Sequence, residues 1–262
     1  MSSLTTEQGT VHYEAIGHGS PVVFLHGLFS SWGVWQQTME SFGKQYRSYA
    51  LDFSVSSSPN GSRLHAMREL VALVDAFMGR LGLDQAPLVG HCMGGTVSLA
   101  MAIVHPARVA KLGIVCAPVA GSSLTPGARL LGRRLTAGVL RAFPGLLRPG
   151  LRRVAPTLKQ GRGWLYTDSG DLSRDWVTSL CARIASLVNT DLRPHLKEIR
   201  APTLGVYGGR DLIVDPHERE TLAIGIPSAR VECLDEAGHF PMLDDPARFR
   251  QALLAFLAQD TP

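Results

Sequence analysis

A cysteine occupies the sharpest turn signal in the sequence, within the stretch VGHCMGG. Glycines stand two positions before it, at Gly90, and two positions after it, at Gly94. Such glycines let a strand and a helix approach closely around a strained turn. The turn would hold Cys92 at a helix N-terminus, where free N–H groups and the helix dipole favour a thiolate. We interpret Cys92 as a nucleophile that substrate can reach, against the alternative of a buried structural thiol.

A nucleophilic thiol needs a base, and the base needs an acid that orients it. His239 follows the last strand pattern, in DEAGHFP, and Asp211 follows the preceding one, in GVYGGRD. In an open α/β sheet the carboxyl ends of parallel strands meet at one edge, where ligands bind. Cys92, Asp211 and His239 also follow the chain order nucleophile, acid, histidine. The sequence predicts a Cys92–His239–Asp211 triad, with Asp215 as a weaker alternative for the acid.

Two backbone N–H groups are predicted to bind the substrate oxygen. The stretch VVFLHGLFSS ends a buried strand at His26 and Gly27, which places the N–H of Leu28 near the turn. The N–H of Met93, directly after the cysteine, is the second donor, and the pair would form an oxyanion hole. His26 and His91 are interpreted as supports of these loops, without a chemical role.

The elements that must position these residues alternate along the chain. Short apolar runs rich in Val and Ile are typical of a parallel sheet that is buried on both faces. The predicted strands are 21–27, 46–52, 86–91, 109–118, 201–209 and 229–235, and the predicted helices are 32–44, 64–81, 93–105, 216–223 and 246–258. Strand and helix in repetition predict an α/β fold with a doubly wound, mostly parallel sheet.

This alternation stops once, from residue 119 to residue 195, where Leu and Arg recur at helical spacing between prolines. We predict an α/β core of residues 1–118 and 196–262 with an inserted helical cap of residues 119–195. The cap is basic, because residues 119–167 contain nine cations and no Asp or Glu. The nine cations are Arg129, Arg133, Arg134, Arg141, Arg148, Arg152, Arg153, Lys159 and Arg162.

Composition excludes several classes of protein. The net charge of +4 over 262 residues is too small to indicate nucleic-acid binding. No apolar run is long enough to span a bilayer, and the first ten residues lack the pattern of a secretory signal, so we expect a cytoplasmic protein. The cysteines show no metal-binding spacing. We predict free thiols, no metal and no cofactor, with Cys116, Cys181 and Cys233 in the core.

The motifs HGLFSSW, GHCMGG, GGRD and AGHFP together resemble the α/β-hydrolase fold superfamily over nearly the whole chain. Two features depart from that resemblance. Most relatives carry serine where Cys92 stands, and many carry a D-x-x-G-x-G-x-S loop after the strand that ends here at Asp52, where this chain reads LDFSVSSSPNGS. Cysteine at this position resembles dienelactone hydrolases, the longer polyhydroxyalkanoate synthases, and small tetramate-type cyclases. The acid of the cyclases follows an earlier strand, whereas the corresponding VCAPVAG has none. Type II thioesterases are serine relatives of similar size.

Sulfur at this position favours acyl transfer. An S-acyl enzyme is close in energy to a thioester, so the acyl group stays activated for a second acceptor. We therefore expect an enzyme that forms an S-acyl intermediate from an acyl thioester or ester, of thioesterase, acyltransferase or cyclase type. Its substrate would be presented on an acyl carrier protein or coenzyme A, whose acidic surface or phosphates the basic cap would bind. The alternatives are an ordinary carboxylic ester or lactone hydrolase, and a non-catalytic small-molecule receptor.

Overall fold

One eight-stranded sheet runs through the protein. The computed structural model describes residues 1–28, 30–61, 63–147, 149 and 174–259. Its strands lie side by side in the order β1-β2-β4-β3-β5-β6-β7-β8. They are β1 (Ser2–Thr6), β2 (Gly9–Ile16), β3 (Ser20–Leu25), β4 (Tyr46–Ser57), β5 (Ala86–His91), β6 (Val109–Val115), β7 (Thr203–Gly208) and β8 (Ala229–Leu234).

The strands from β4 to β8 are parallel, and their registers bring the predicted site residues to one edge. Leu25 of β3 pairs with Gly90 of β5, and Val115 of β6 pairs with both His91 of β5 and Val206 of β7. Every residue of β7 is buried, as a sheet covered on both faces requires. These observations confirm the predicted doubly wound α/β sheet.

The N-terminal part of the sheet differs from the prediction. β1 and β2 form an antiparallel hairpin that pairs with β4 at the sheet edge, and neither strand was predicted. β2 carries polar residues such as Thr10, His12 and Glu14, and most of it is only half-buried, so it lacks the apolar run that marked the other strands. β4 also does not end at Asp52, because its continued pairing with β2 extends it to Ser57.

The helices of the core lie close to the predicted positions. They are α1 (Gln36–Phe42), α2 (Met67–Arg80), α3 (Met93–Val104), α7 (Glu218–Gly225), α8 (Pro241–Asp244) and α9 (Pro246–Leu257), while Trp32–Trp35 is a 3-10 turn. α2 begins three residues later than predicted. The Glu69 carboxylate accepts hydrogen bonds from the N–H groups of His65 and Ala66 ahead of this first turn, an N-terminal cap that the negative charge also suits.

Three described helices lie between β6 and β7, namely α4 (Pro126–Leu131), α5 (Arg134–Ala142) and α6 (Arg174–Val188). Buried Arg183 of α6 donates hydrogen bonds to the carbonyl oxygens of Leu64 (2.9 Å) and Phe53 (2.5 Å), which ties this region to β4 and to the segment after it. The boundaries of a separate cap at residues 119 and 195 stay a prediction. The predicted cationic positions that fall outside the described residues are Arg148, Arg152, Arg153, Lys159 and Arg162.

Within the described part of the chain, none of the helices has the length and apolar character needed to cross a lipid bilayer.

Candidate active site

The turn between β5 and α3 holds Cys92 in a strained conformation, with φ 51° and ψ −119°. The left-handed φ is costly for a residue with a side chain, and such strain is concentrated at functional sites. A Cβ at Gly90 would collide with the backbone of Gly94, and a Cβ at Gly94 would collide with the carbonyl of Leu25. The close packing of strand and helix predicted from the glycines is therefore present around Cys92.

Asp211 and His239 form the predicted pair at the ends of β7 and β8. His239 Nδ1 donates a hydrogen bond of 2.8 Å to Asp211 Oδ2, and both side chains are buried. Asp211 Oδ1 accepts the N–H groups of Ile213 (2.8 Å) and Val214 (3.1 Å), which fixes the carboxylate. The rival acid Asp215 instead accepts the N–H of His217 (3.0 Å) at the start of α7. The geometry thus favours Asp211 as the partner of His239.

The charge on His239 depends on both neighbours. Burial lowers its pKa, but the Asp211 carboxylate and the Cys92 thiolate outweigh burial and raise this pKa to about 10. The Cys92 sulfur therefore lies close enough to act on the imidazole. Nε2 of His239 is a buried atom without a hydrogen-bond partner among the described residues, although the Cys92 side chain lies near enough to raise the pKa of His239. This arrangement favours a charged imidazole on His239 beside the Cys92 sulfur.

Cys92 is completely buried, at 0% exposure, whereas the sequence interpretation required a thiol that substrate can reach. His239 is 1% exposed and Asp211 6% exposed. All three groups thus lie in a closed, water-poor environment, where electrostatic interactions are stronger than in water. The predicted accessibility of Cys92 is therefore wrong in this structure.

The two predicted oxyanion donors lie beside the turn. Met93 is the first residue of α3, and the backbone hydrogen bonds of the described residues leave the N–H groups of Met93 and Leu28 without an acceptor. A Cβ at Gly27 would come within 2.8 Å of the Cys92 Cβ, so the segment after β3 packs directly on the cysteine. Two N–H groups without acceptors in the segments next to Cys92 are suited to bind an oxyanion.

Two histidines hold the surrounding loops. His26 Nδ1 donates to the Gly27 carbonyl (2.7 Å), and its Nε2 accepts the N–H of Phe53 (2.9 Å). His91 Nε2 donates to the main-chain carbonyl of His239 (2.7 Å), which anchors the loop that carries the imidazole. Burial and the charge on His239 hold the pKa of His91 well below its ordinary value, so His91 stays neutral.

Cys116 also belongs to the site, although the sequence analysis assigned it to the core. It is fully buried as expected, but it directly follows β6 at φ 44° and its sulfur accepts the N–H of Gly208 (3.4 Å). Burial and the Asp211 carboxylate raise the pKa of Cys116 well above its usual value, so this thiol keeps its proton. The apolar run before Cys116 indicated a core position. The one signal for the site was that Cys116 follows β6, next to the strand ends that carry Asp211 and His239.

The donor atoms of Cys116, Asp211 and His239 lie within 4.8 Å of one another, so this group could bind a metal ion. However, a cation there would compete for the atoms that already form the Asp211–His239 hydrogen bond. Metal binding and an intact triad are therefore alternatives. All four cysteines are free thiols, as predicted.

Known proteins resemble this chain over most of its length. The sequence profile described as the alpha/beta hydrolase family matches residues 22–252. The 2-hydroxy-6-oxo-6-phenylhexa-2,4-dienoate hydrolase of Comamonas testosteroni is 28% identical, over 95% of this chain and 91% of its own. The pimeloyl-(acyl-carrier protein) methyl ester esterase of Nitrosomonas europaea is 25% identical, over 92% of this chain and 96% of its own.

A crystal structure of a hydrolase from Pseudomonas aeruginosa superposes with a TM-score of 0.84 over 98% of both chains, at 23% identity. At this identity the likeness shows the fold alone. The profile match covers most of the sequence. The chain belongs to the alpha/beta hydrolase family.

Proposed function

We propose that this protein is an acyl-transfer enzyme that forms an S-acyl intermediate on Cys92. The observation that carries the proposal is the Asp211-bound imidazole of His239, which the charges of Asp211 and Cys92 keep protonated beside the sulfur. An imidazolium next to a thiolate supplies both the nucleophile and the acid that acyl transfer needs.

In the first half-reaction the Cys92 thiolate attacks the acyl carbon of a thioester or ester. The new C–S bond converts the carbonyl oxygen to an oxyanion, which the N–H groups of Leu28 and Met93 stabilise. His239 then donates its Nε2 proton to the leaving sulfur or oxygen as the bond to the leaving group breaks. The products are the S-acyl enzyme, a neutral His239 and a thiol or alcohol.

In the second half-reaction neutral His239 removes a proton from the acceptor, which attacks the acyl carbon. Cys92 leaves as a thiolate, and the resting imidazolium is restored. Asp211 stays ionised throughout and holds His239 in the tautomer with the proton on Nδ1, because its other oxygen is fixed by two N–H groups. The acceptor is water in hydrolysis, or an amine, alcohol, thiol or carbon nucleophile in transfer.

The buried site favours transfer over hydrolysis, because a closed active site limits the access of water to a reactive intermediate. The similarity to an esterase whose named substrate is attached to an acyl carrier protein supports an acyl group presented on such a carrier or on coenzyme A. The hydrolase names among the relatives support the alternative of ordinary ester or lactone hydrolysis.

Intact-protein mass spectrometry after incubation with a panel of acyl thioesters and esters tests this function. We expect a mass increase of one acyl group on the wild type and on Cys181→Ala, a control that removes a buried cysteine away from the triad, and none on Cys92→Ala. The preferred donor distinguishes thioesters from esters. Tight binding of unmodified ligand with no adduct from any donor would instead indicate a receptor. Normal turnover by His239→Ala would contradict the triad.

A further inference from the structure

The segment from α4 to just beyond α5 carries large apolar side chains in solvent. Five residues here are about half exposed or more: Leu130 (48%), Leu135 (88%), Val139 (51%), Phe143 (64%) and Leu146 (60%). Single exposed apolar residues are ordinary, but a contiguous group marks an interaction site. We call these five residues together with Arg129, Arg133, Arg134 and Arg141 the cap face.

The outward apolar side chains are not those that attach α5 to the protein. Ala137 and Leu140 of this helix are buried against the rest of the chain. Leu135, Val139 and Phe143 recur every fourth position and therefore form a second stripe on the other side of the helix. The helix thus has one apolar stripe that packs inward and one that projects from a convex surface.

In the described segment from α4 to Leu147, every charged side chain is an arginine. All four arginines of the cap face are exposed, and residues 119–167 contain no Asp or Glu that could neutralise them from nearby in the sequence. An amphipathic surface that combines protruding Leu and Phe with Arg suits the boundary between lipid headgroups and acyl chains. There the apolar side chains leave water, and guanidinium groups bind the phosphates.

We propose that the cap face docks this protein on an anionic lipid surface. A lipid surface fits the observations better than an acidic protein does, because it deforms around side chains that protrude from a convex helix. A folded partner would need a groove of matching shape. The proposal does not depend on the chemistry at Cys92, since none of its residues belongs to the catalytic group.

Sedimentation with phosphatidylcholine vesicles, with and without phosphatidylglycerol, tests the proposal on the full chain. Wild type is expected to bind the vesicles that contain phosphatidylglycerol. Leu135→Ser/Phe143→Ser should reduce the partition coefficient at least about tenfold, as the buried apolar area is lost. The matched control is Ile224→Ser, which replaces a side chain that is 86% exposed on α7, and it should bind as wild type does.

Arg134→Gln/Arg141→Gln should weaken binding about 20-fold at low salt, and by less as salt is added, since each cation near an anionic leaflet contributes independently. Its control is Arg68→Gln/Arg200→Gln, two exposed arginines outside the cap face. All variants should keep the wild-type Tm, because the replaced side chains are exposed.

Several results would overturn the proposal. The proposal is contradicted if wild type does not bind anionic vesicles, or if Leu135→Ser/Phe143→Ser binds them as wild type does. A lower Tm with unchanged vesicle binding would show that another part of the chain covers the stripe. A wild-type dimer in solution that Leu135→Ser/Phe143→Ser converts to a monomer would show that a second copy covers it. Affinity for an acidic carrier protein without affinity for vesicles would assign the arginines to that partner instead.

Discussion

Replacement of Asp211 by asparagine should separate the two functions of this carboxylate, its charge and its hydrogen bonds. The N–H groups of Ile213 and Val214 both require an acceptor at Oδ1. The asparagine oxygen will therefore face them, and its NH₂ group will face Nδ1 of His239. Nδ1 must then accept a hydrogen bond, so the ring proton moves to Nε2, and the neutral imidazole presents no lone pair to Cys92 or to the acceptor.

The size of the effect follows from the charge on His239. A pKa raised from 6.5 to about 10 corresponds to about 5 kcal/mol of preference for the imidazolium, and the Asp211 carboxylate contributes most to that increase. We expect kcat/KM with the best acyl donor to fall about 10³- to 10⁴-fold, as in other triads that lose the orienting charge. Asp215→Asn is the matched control, and it should change kcat/KM little.

Thermal unfolding provides an independent measure. Because the folded-state pKa of His239 is raised, its stabilising contribution is complete below about pH 6.5 and is lost as pH rises through about 10. Wild type should therefore lose up to about 5 kcal/mol of this contribution across that window, and Asp211→Asn should show a flatter profile. Unchanged kcat/KM in Asp211→Asn, or a loss confined to Asp215→Asn, would refute the assignment.

Three further substitutions test the surroundings of the site. Gly90→Ala should lower the free energy of unfolding by about 3 kcal/mol in denaturant titrations, because its Cβ meets the Gly94 backbone, while Gly145→Ala, where a Cβ meets nothing within 4 Å, should cost much less. Glu218→Ala should lower the free energy of unfolding by about 1–3 kcal/mol, because the N–H of Val119 loses its acceptor at 2.7 Å. Glu218→Gln keeps an acceptor and should not lower it. Equal losses in the two variants would contradict this role of Glu218. In the Asp211→Asn background, Cys116→Asp should raise kcat/KM at least tenfold, because the Cys116 sulfur lies within 4.8 Å of the His239 donor atom. No gain would show that a carboxylate at position 116 is misdirected.

The sequence predicted most of the parallel sheet and the residues that meet at its edge. Burial on both faces requires apolar residues in the strands, and close backbone packing requires glycines around Cys92. Both requirements are visible directly in the residue types. The pairing of Asp211 with His239 followed because the ends of parallel strands converge. The edge hairpin of β1 and β2 left no such trace, because its half-polar strands depend on pairing with β4.

Features that depend on tertiary packing were not predictable from local pattern. The apolar run before Cys116 is the same whether its sulfur contacts leucines or, as the structure shows, the N–H of Gly208 and the neighbourhood of Asp211. The complete burial of Cys92 likewise arises from what covers the strand ends. The outward stripe of α5 followed the predicted helical spacing, but spacing alone does not reveal which of two faces is exposed.

The pairing of Cys92 with His239 is tested most directly by the rate at which iodoacetamide alkylates Cys92 as a function of pH, followed by peptide mass spectrometry in wild type and His239→Ala. We expect Cys92 to be alkylated much more slowly in His239→Ala than in wild type near neutral pH, because a charged His239 beside the sulfur favours the thiolate form that reacts. Cys116 should remain unmodified, because burial and Asp211 raise its pKa. Equal alkylation rates of Cys92 in wild type and His239→Ala over the whole pH range would contradict the account.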